Sequence, residues 1–190
     1  VQGDIYNLPV RPVFQYAYSI GVLHHLPDPK TGFLSVVGRL APGGRMSAWV
    51  YGEEGNWWIT RLVTPFREVV TSRLPRAVTQ ALSFLIAVPM QAALRLIYKP
   101  VNERLPSLKK LLFYNDYLYS ISGFSFRENF WNVFDHLVAP TAFYISREEF
   151  DVWFKEAALA NVNITWRNRN SWRGTGDLEL GKAAPSSRVP

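Results

Sequence analysis

Residues 13–51 read VFQYAYSIGVLHHLPDPKTGFLSVVGRLAPGGRMSAWVY. The first eight, Val13 to Ile20, are mostly apolar or aromatic and flanked by turn residues, the pattern of a short buried strand. Asp28 is a good helix N-cap and Pro29 suits the first helical position. Phe33, Leu34, Val37 and Leu40 follow at helical spacing, and Pro42-Gly43-Gly44 predicts the stop. Arg45 to Tyr51 reads as a second strand. Strand, helix and strand in so short a run predict a parallel βαβ unit.

Working outward, Ser146 and Glu149 have the S-x-x-E spacing of a capping box. Phe150, Trp153, Phe154, Ala157 and Ala158 then form one apolar helical face. Val162, Ile164 and Trp166 alternate with Asn163, Thr165 and Arg167, as in a strand with one buried face. Residues 170–176 are expected to return as a final antiparallel strand. Between the two ends, residues 57–112 are apolar and helical in character, and 113–145 are aromatic-rich and expected to be irregular.

Three motifs in order carry a resemblance. Gly3-Asp4-Ile5-Tyr6-Asn7-Leu8-Pro9 resembles the loop after the third strand of class I S-adenosylmethionine-dependent methyltransferases. Tyr18-Ser19-Ile20-Gly21-Val22-Leu23-His24-His25-Leu26 resembles the end of that family's fourth strand, and Leu40-Ala41-Pro42-Gly43-Gly44 the turn before its fifth. The resemblance covers about 1–56 and 146–176. It implies an α/β fold: part of a doubly wound, Rossmann-like methyltransferase sheet, with a helical cap inserted after the fifth family strand. The expected division is 1–56 for the C-terminal half of the cofactor-binding core and 57–145 for the cap. Residues 146–176 return to the core, and 177–190 form a disordered tail. The family's glycine-rich loop and ribose-binding carboxylate are not among these residues, so the chain is expected to be a fragment. Gln15 stands where the family usually has Asp, and Ala158 where its helix usually ends in Gly.

The implied cofactor is S-adenosyl-L-methionine, which in open α/β sheets would lie at the strand C-termini. By resemblance Asp4 and Ile5 would contact the adenine, and Ser19, Ile20 and Gly21 would pass the methionine part. The plainer reading makes Asp4 a turn former and Gly21 a relief of crowding. Methyl transfer needs alignment and exclusion of water more than a fixed nucleophile. A base serves a protonated acceptor, and His136 with Asp135, or His25, are the candidates. Each has a structural alternative as a packing or capping residue. Trp172 and Arg173 are candidates to cover and bind the acceptor, with edge-strand packing as the alternative. His24 and His25 are adjacent with no third ligand at suitable spacing, so no metal site is expected.

The 190 residues suffice for one core and are short for two, and the absence of cysteine excludes disulfides and thiolate metal sites. The net charge of +6 favours anionic surfaces, but no basic stripe interleaved with aromatics points to nucleic acid. A cytoplasmic location is expected. Ala77 to Leu94 carries no charge and is flanked by Arg76 and Arg95. Thr79, Gln80, Ser83, Pro89 and Gln91 interrupt it, and a single crossing would separate strands of one sheet, so a cap kinked at Pro89 is expected over a membrane span. Such a cap suits a small or lipid-like acceptor and, with Arg95, Lys99, Arg104, Lys109 and Lys110, peripheral membrane contact. Two other readings stand beside the enzyme: a non-enzymatic membrane-peripheral module, and an inactive truncated methyltransferase.

Overall fold

The computed structural model describes residues 2–181. In chain order the elements are β1 (Phe14–Ile20), α1 (Pro29–Val37), β2 (Leu40–Tyr51), α2 (Thr64–Val69) and α3 (Arg76–Ala93). They continue with α4 (Lys99–Arg104), α5 (Asn115–Ser120), α6 (Phe126–Val138), α7 (Arg147–Glu156), β3 (Leu159–Arg167) and β4 (Ser171–Leu178). Two compact units result. One comprises the residues up to Glu54 with those from Thr141 onward, and the other is Gly55–Pro140. The unit boundaries fall at 54/55 and 140/141, where the sequence predicted 56/57 and 145/146.

The first unit is α/β. Its four strands run in the order β1-β2-β4-β3. β1 and β2 pair parallel, and β4 pairs antiparallel with both β2 and β3. The parallel pair is the predicted βαβ unit. Asp28 caps α1 as expected, its side chain accepting from the Thr31 N–H at 3.0 Å and from Thr31 Oγ1 at 2.6 Å. The helix stops earlier than expected, at Gly38, and Pro42-Gly43-Gly44 lies within β2. The extra residues are absorbed as an irregularity in register, from Phe14 opposite Leu40 to Tyr16 opposite Arg45.

The core lies on one side of this sheet. Phe33 and Val37 of α1 meet Met46, Ala48 and Val50 of β2, and Phe150, Trp153 and Phe154 of α7 close over them. A fully buried Phe or Leu contributes about 1.5–3 kcal/mol through the water it sheds. Gly174 makes the close packing possible: a Cβ there would stand 2.6 Å from Phe154 Cζ. Ser146 Oγ caps α7 through the Glu149 N–H at 3.1 Å, but the full reciprocal box forms at Ser125 and Glu128 of α6. Glu54 ties α7 to β4, accepting from the Arg147 N–H at 2.9 Å and from Trp172 Nε1 at 2.8 Å.

The opposite side of the sheet is bare. Tyr16 and Tyr18 are 76% and 75% exposed, and Phe14 and Ile20 beside them are also exposed. Parallel strands are normally covered on both faces. β3, at the other end of the sheet, is an edge strand, so the face predicted to be buried is only partly so: Val162 and Trp166 are exposed. The expected tail boundary also moves. Asp177 and Leu178 belong to β4, Leu178 in the core and Asp177 paired with Arg45. The rest of the expected tail, residues 182–190, lies outside the described residues, as does Val1.

The second unit is helical. α3 continues without a break through Leu94–Tyr98 into α4. Among the described residues, this helix, Arg76–Arg104, is the one long and apolar enough to cross a membrane. α3 packs on α6 around Ala87, Val133 and Leu137. The segment expected to be irregular, 113–145, holds α5 and α6.

Candidate functional site

The tip of β1 turns through a conformation that favours glycine. Gly21 has φ of 71°, in the left-handed region, and a Cβ there would lie 3.3 Å from the Trp49 ring. Its N–H points to the Trp49 carbonyl at 3.4 Å. Ser19 is buried against the core side, while Ile20 points to the bare face. The chain then reverses through a tight turn, Leu23–His25.

That turn fixes both histidines. His24 is fully buried, with its ring 4.0 Å from that of Tyr51 and edge-on to Trp49 at 5.8 Å. His25 Nδ1 donates to the Thr141 carbonyl at 2.7 Å, and Thr141 Oγ1 donates back to the His25 carbonyl at 2.6 Å. A carbonyl only accepts, so Nδ1 carries the proton of the neutral ring and Nε2 is the nitrogen able to take one. The Phe143 N–H adds a 2.8 Å bond to the His24 carbonyl.

Asp4 starts a single tight turn, Ile5–Asn7, and its Oδ1 accepts the Tyr6 N–H at 3.0 Å. The turn-forming role is therefore real, and one carboxylate oxygen performs it. The Tyr6 hydroxyl accepts the Asp28 N–H at 2.9 Å, and Ile5 packs on the core. These contacts hold the Asp4 turn at the N-terminal end of α1. In a strand-turn-helix that end adjoins the C-terminal end of β1, so Asp4 and the Gly21 turn lie toward the same end of the parallel pair.

Trp172 is a core residue. Its indole N–H is bound by Glu54 and its ring stacks on Trp166 at 5.4 Å, which gives it a packing role in place of the expected cover over an acceptor. Arg173 is exposed. With Arg167, Ile20, Ser47, Trp49 and Thr175 it lines a shallow depression of about 350 Å³ on the bare face.

Within the helical unit lies a second concavity, about 290 Å³, that the sequence did not reveal. Trp58, Ile86, Met90, Phe113, Tyr117 and Leu137 form most of its wall, and His136 and Asn132 are polar groups at it. Asp135 and His136 are on helix α6, not in the expected loop. His136 is half-buried at the pocket, while Asp135 is exposed. Tyr114, in a left-handed conformation with φ of 51°, donates its hydroxyl to the buried Asn56 side chain and so fixes the wall beside Trp58. Phe126, Phe130, Phe134 and Leu137 at helical spacing behind a Ser125–Glu128 box mark helix α6, but of these four only Leu137 lines the pocket.

No family model matches the chain. A stretch of 53 residues, 28% of the chain, is 42% identical to an uncharacterised protein of Synechococcus sp.. The match spans 12% of that relative's length, so what it shares with this chain is one segment of a much longer protein.

Proposed function

We propose that the protein transfers a methyl group from S-adenosylmethionine to a small or lipid-like organic acceptor, on a doubly wound, Rossmann-like sheet of which these residues form one half. The observation that carries this reading is the strand order. A parallel β1–β2 pair is followed by β4 and β3 running antiparallel, with a glycine turn at the C-terminal tip of β1 and the Asp4 turn held toward the same end. Open α/β sheets bind ligands at that end of their strands. The bare face around Tyr16 and Tyr18 is where the other half of such a sheet would add its helices.

The residues fit the group. One Asp4 oxygen holds the Tyr6 N–H, leaving the other as an acceptor for an exocyclic amine. Gly21 presents backbone without a side chain, which permits close approach. When bound, the cofactor supplies an electrophilic methyl on a sulfonium. A protonated acceptor then loses its proton to a base. His25, with Nδ1 committed to Thr141, offers Nε2 for that proton. This reading locates the protein in the cytoplasm.

The test is titration calorimetry with S-adenosylmethionine on this chain and on any longer form that contains it. Binding that weakens about tenfold or more in Asp4→Ala, as expected for a lost charge-assisted hydrogen bond, supports the assignment. Absence of binding by both forms rejects it. Binding by the longer form alone favours a second reading, in which the bare sheet face marks a half-core inactive by itself.

A further inference from the structure

α3 is built inside out. A helix on a water-facing surface normally turns its apolar stripe inward and its polar residues outward. Here Thr79, Ser83, Ala87 and Gln91, at every fourth position, are the buried residues. Outward stand Val78, Phe84, Leu85, Val88 and Leu96, with Leu85 and Leu96 at 69% and 76% exposure. From Ala77 to Leu94 there is no charged residue.

The inward contacts have a matching character. Ala87 packs against Val133 and Leu137 of α6, with the half-buried Leu82 and Met90 beside it, so large apolar side chains share the inner side while the most exposed ones stand outward. Within α3, Ser83 Oγ donates to the Thr79 carbonyl at 2.7 Å; between the helices, Asn129 Nδ2 of α6 donates to Gln91 Oε1 at 2.7 Å. Small residues and polar bridges between helices, with large aliphatic side chains facing away, are how helices associate where the surrounding solvent is lipid. In water this arrangement leaves a wide apolar face uncovered.

Charge identifies the occupant. Arg73 and Arg76 precede the apolar run; Arg95, Lys99, Arg104, Lys109 and Lys110 follow it, all exposed. Glu103 is the one acidic residue between Arg73 and Lys110. An uncharged apolar stripe bounded by exposed cations matches the depth profile of an anionic bilayer surface. It is a poor match for a protein groove, which would have to satisfy both features along one helix.

Spanning is excluded by topology. The chain leaves the sheet after β2 and returns to it before α7, where the Ile145 N–H donates to the Tyr51 carbonyl at 2.9 Å, so crossings must come in pairs. The other long helix of this unit, α6, has 13 residues. At 1.5 Å per residue it reaches about 20 Å, short of the roughly 30 Å hydrocarbon core. It also carries Arg127, Glu128 and Asp135.

We propose that α3 lies in the plane of an anionic membrane surface, with the Leu85–Leu96 face in the acyl boundary and the flanking Arg and Lys side chains on lipid phosphates. This does not rest on methyl transfer and stands or falls separately from S-adenosylmethionine binding.

The experiment is flotation of the protein with phosphatidylcholine vesicles, with and without phosphatidylglycerol. The expected result is binding to the anionic vesicles that falls as salt rises and is weak on neutral ones. The double variant Leu85→Glu, Leu96→Glu alters exposed positions, and an unchanged circular dichroism spectrum verifies its fold. It should lose binding. Lys109→Glu with Lys110→Glu should weaken binding to anionic vesicles about tenfold or more. Failure of the parent protein to float, or flotation unaffected by the leucine variant, overturns the proposal. So does a dimer in sedimentation equilibrium that Leu85→Glu abolishes while no vesicle binding occurs.

Discussion

Asn129 of α6 donates to Gln91 of α3 across 2.7 Å, and both side chains are buried. The same Asn129 amide also reaches the Ile121 carbonyl at 3.3 Å, so one residue ties three segments of the helical unit together. Replacing Asn129 by Leu leaves the Gln91 carbonyl oxygen buried without its donor, which costs about 1–3 kcal/mol. Gln91→Leu should cost a similar amount. The double variant should be less damaged than the sum, because neither amide side chain is then left buried without the other. Urea denaturation of the four proteins reads the coupling directly; additive losses would show that the bond does not join the helices.

Ala158 follows the C-terminus of α7 with φ of 53°, the conformation in which helices commonly place glycine. A left-handed alanine costs about 1–2 kcal/mol, part of which glycine gives back through a freer unfolded chain. Ala158→Gly should therefore stabilise by roughly 0.5–1 kcal/mol. Thermal unfolding measures it, and an unchanged or lowered Tm would contradict the helix-end geometry.

Asp28 should make the stability of α1 depend on acid. Its carboxylate is held below the ordinary value of 3.8, chiefly by the Thr31 hydroxyl and then by the Thr31 N–H. A depressed folded pKa stabilises the fold above the unfolded value, and the contribution is lost as pH falls through the folded one. Asp28→Ala should lower stability by about 1 kcal/mol at neutral pH, the usual worth of an N-cap. The gap to the parent should close as pH drops below 3.8. Denaturation midpoints across that range test it, and a gap independent of pH would assign the effect to something other than the carboxylate.

The parallel strand pair and its helix could be read from sequence because their signals are local: Asp28-Pro29 opens the helix and apolar spacing sets its face. The capped helix from Arg147 was readable for the same reason. α6 was not, although Ser125 and Glu128 have the same spacing as Ser146 and Glu149, because its many aromatics suggested irregular chain. Gly174 carried no readable meaning either, since its lack of a side chain matters only when Phe154 arrives from another element. The inversion of α3 was beyond pattern reading: an uncharged helix shows its burial only once α6 chooses the Thr79–Gln91 side. Of the candidate residues, Gly21 and Asp4 were singled out by motif. The pocket at His136 is assembled from segments far apart in the chain and has no local mark.

β1 ends the strand order, so its outer row of backbone donors and acceptors faces no neighbouring strand among the described residues. Such a row is a template for any extended polypeptide, and neither lysine nor proline between Phe14 and Ile20 blunts it. In a concentrated preparation, copies would zip together along this margin. The handling of the protein, its yield and its tendency to precipitate, would then depend on the open edge of one seven-residue strand.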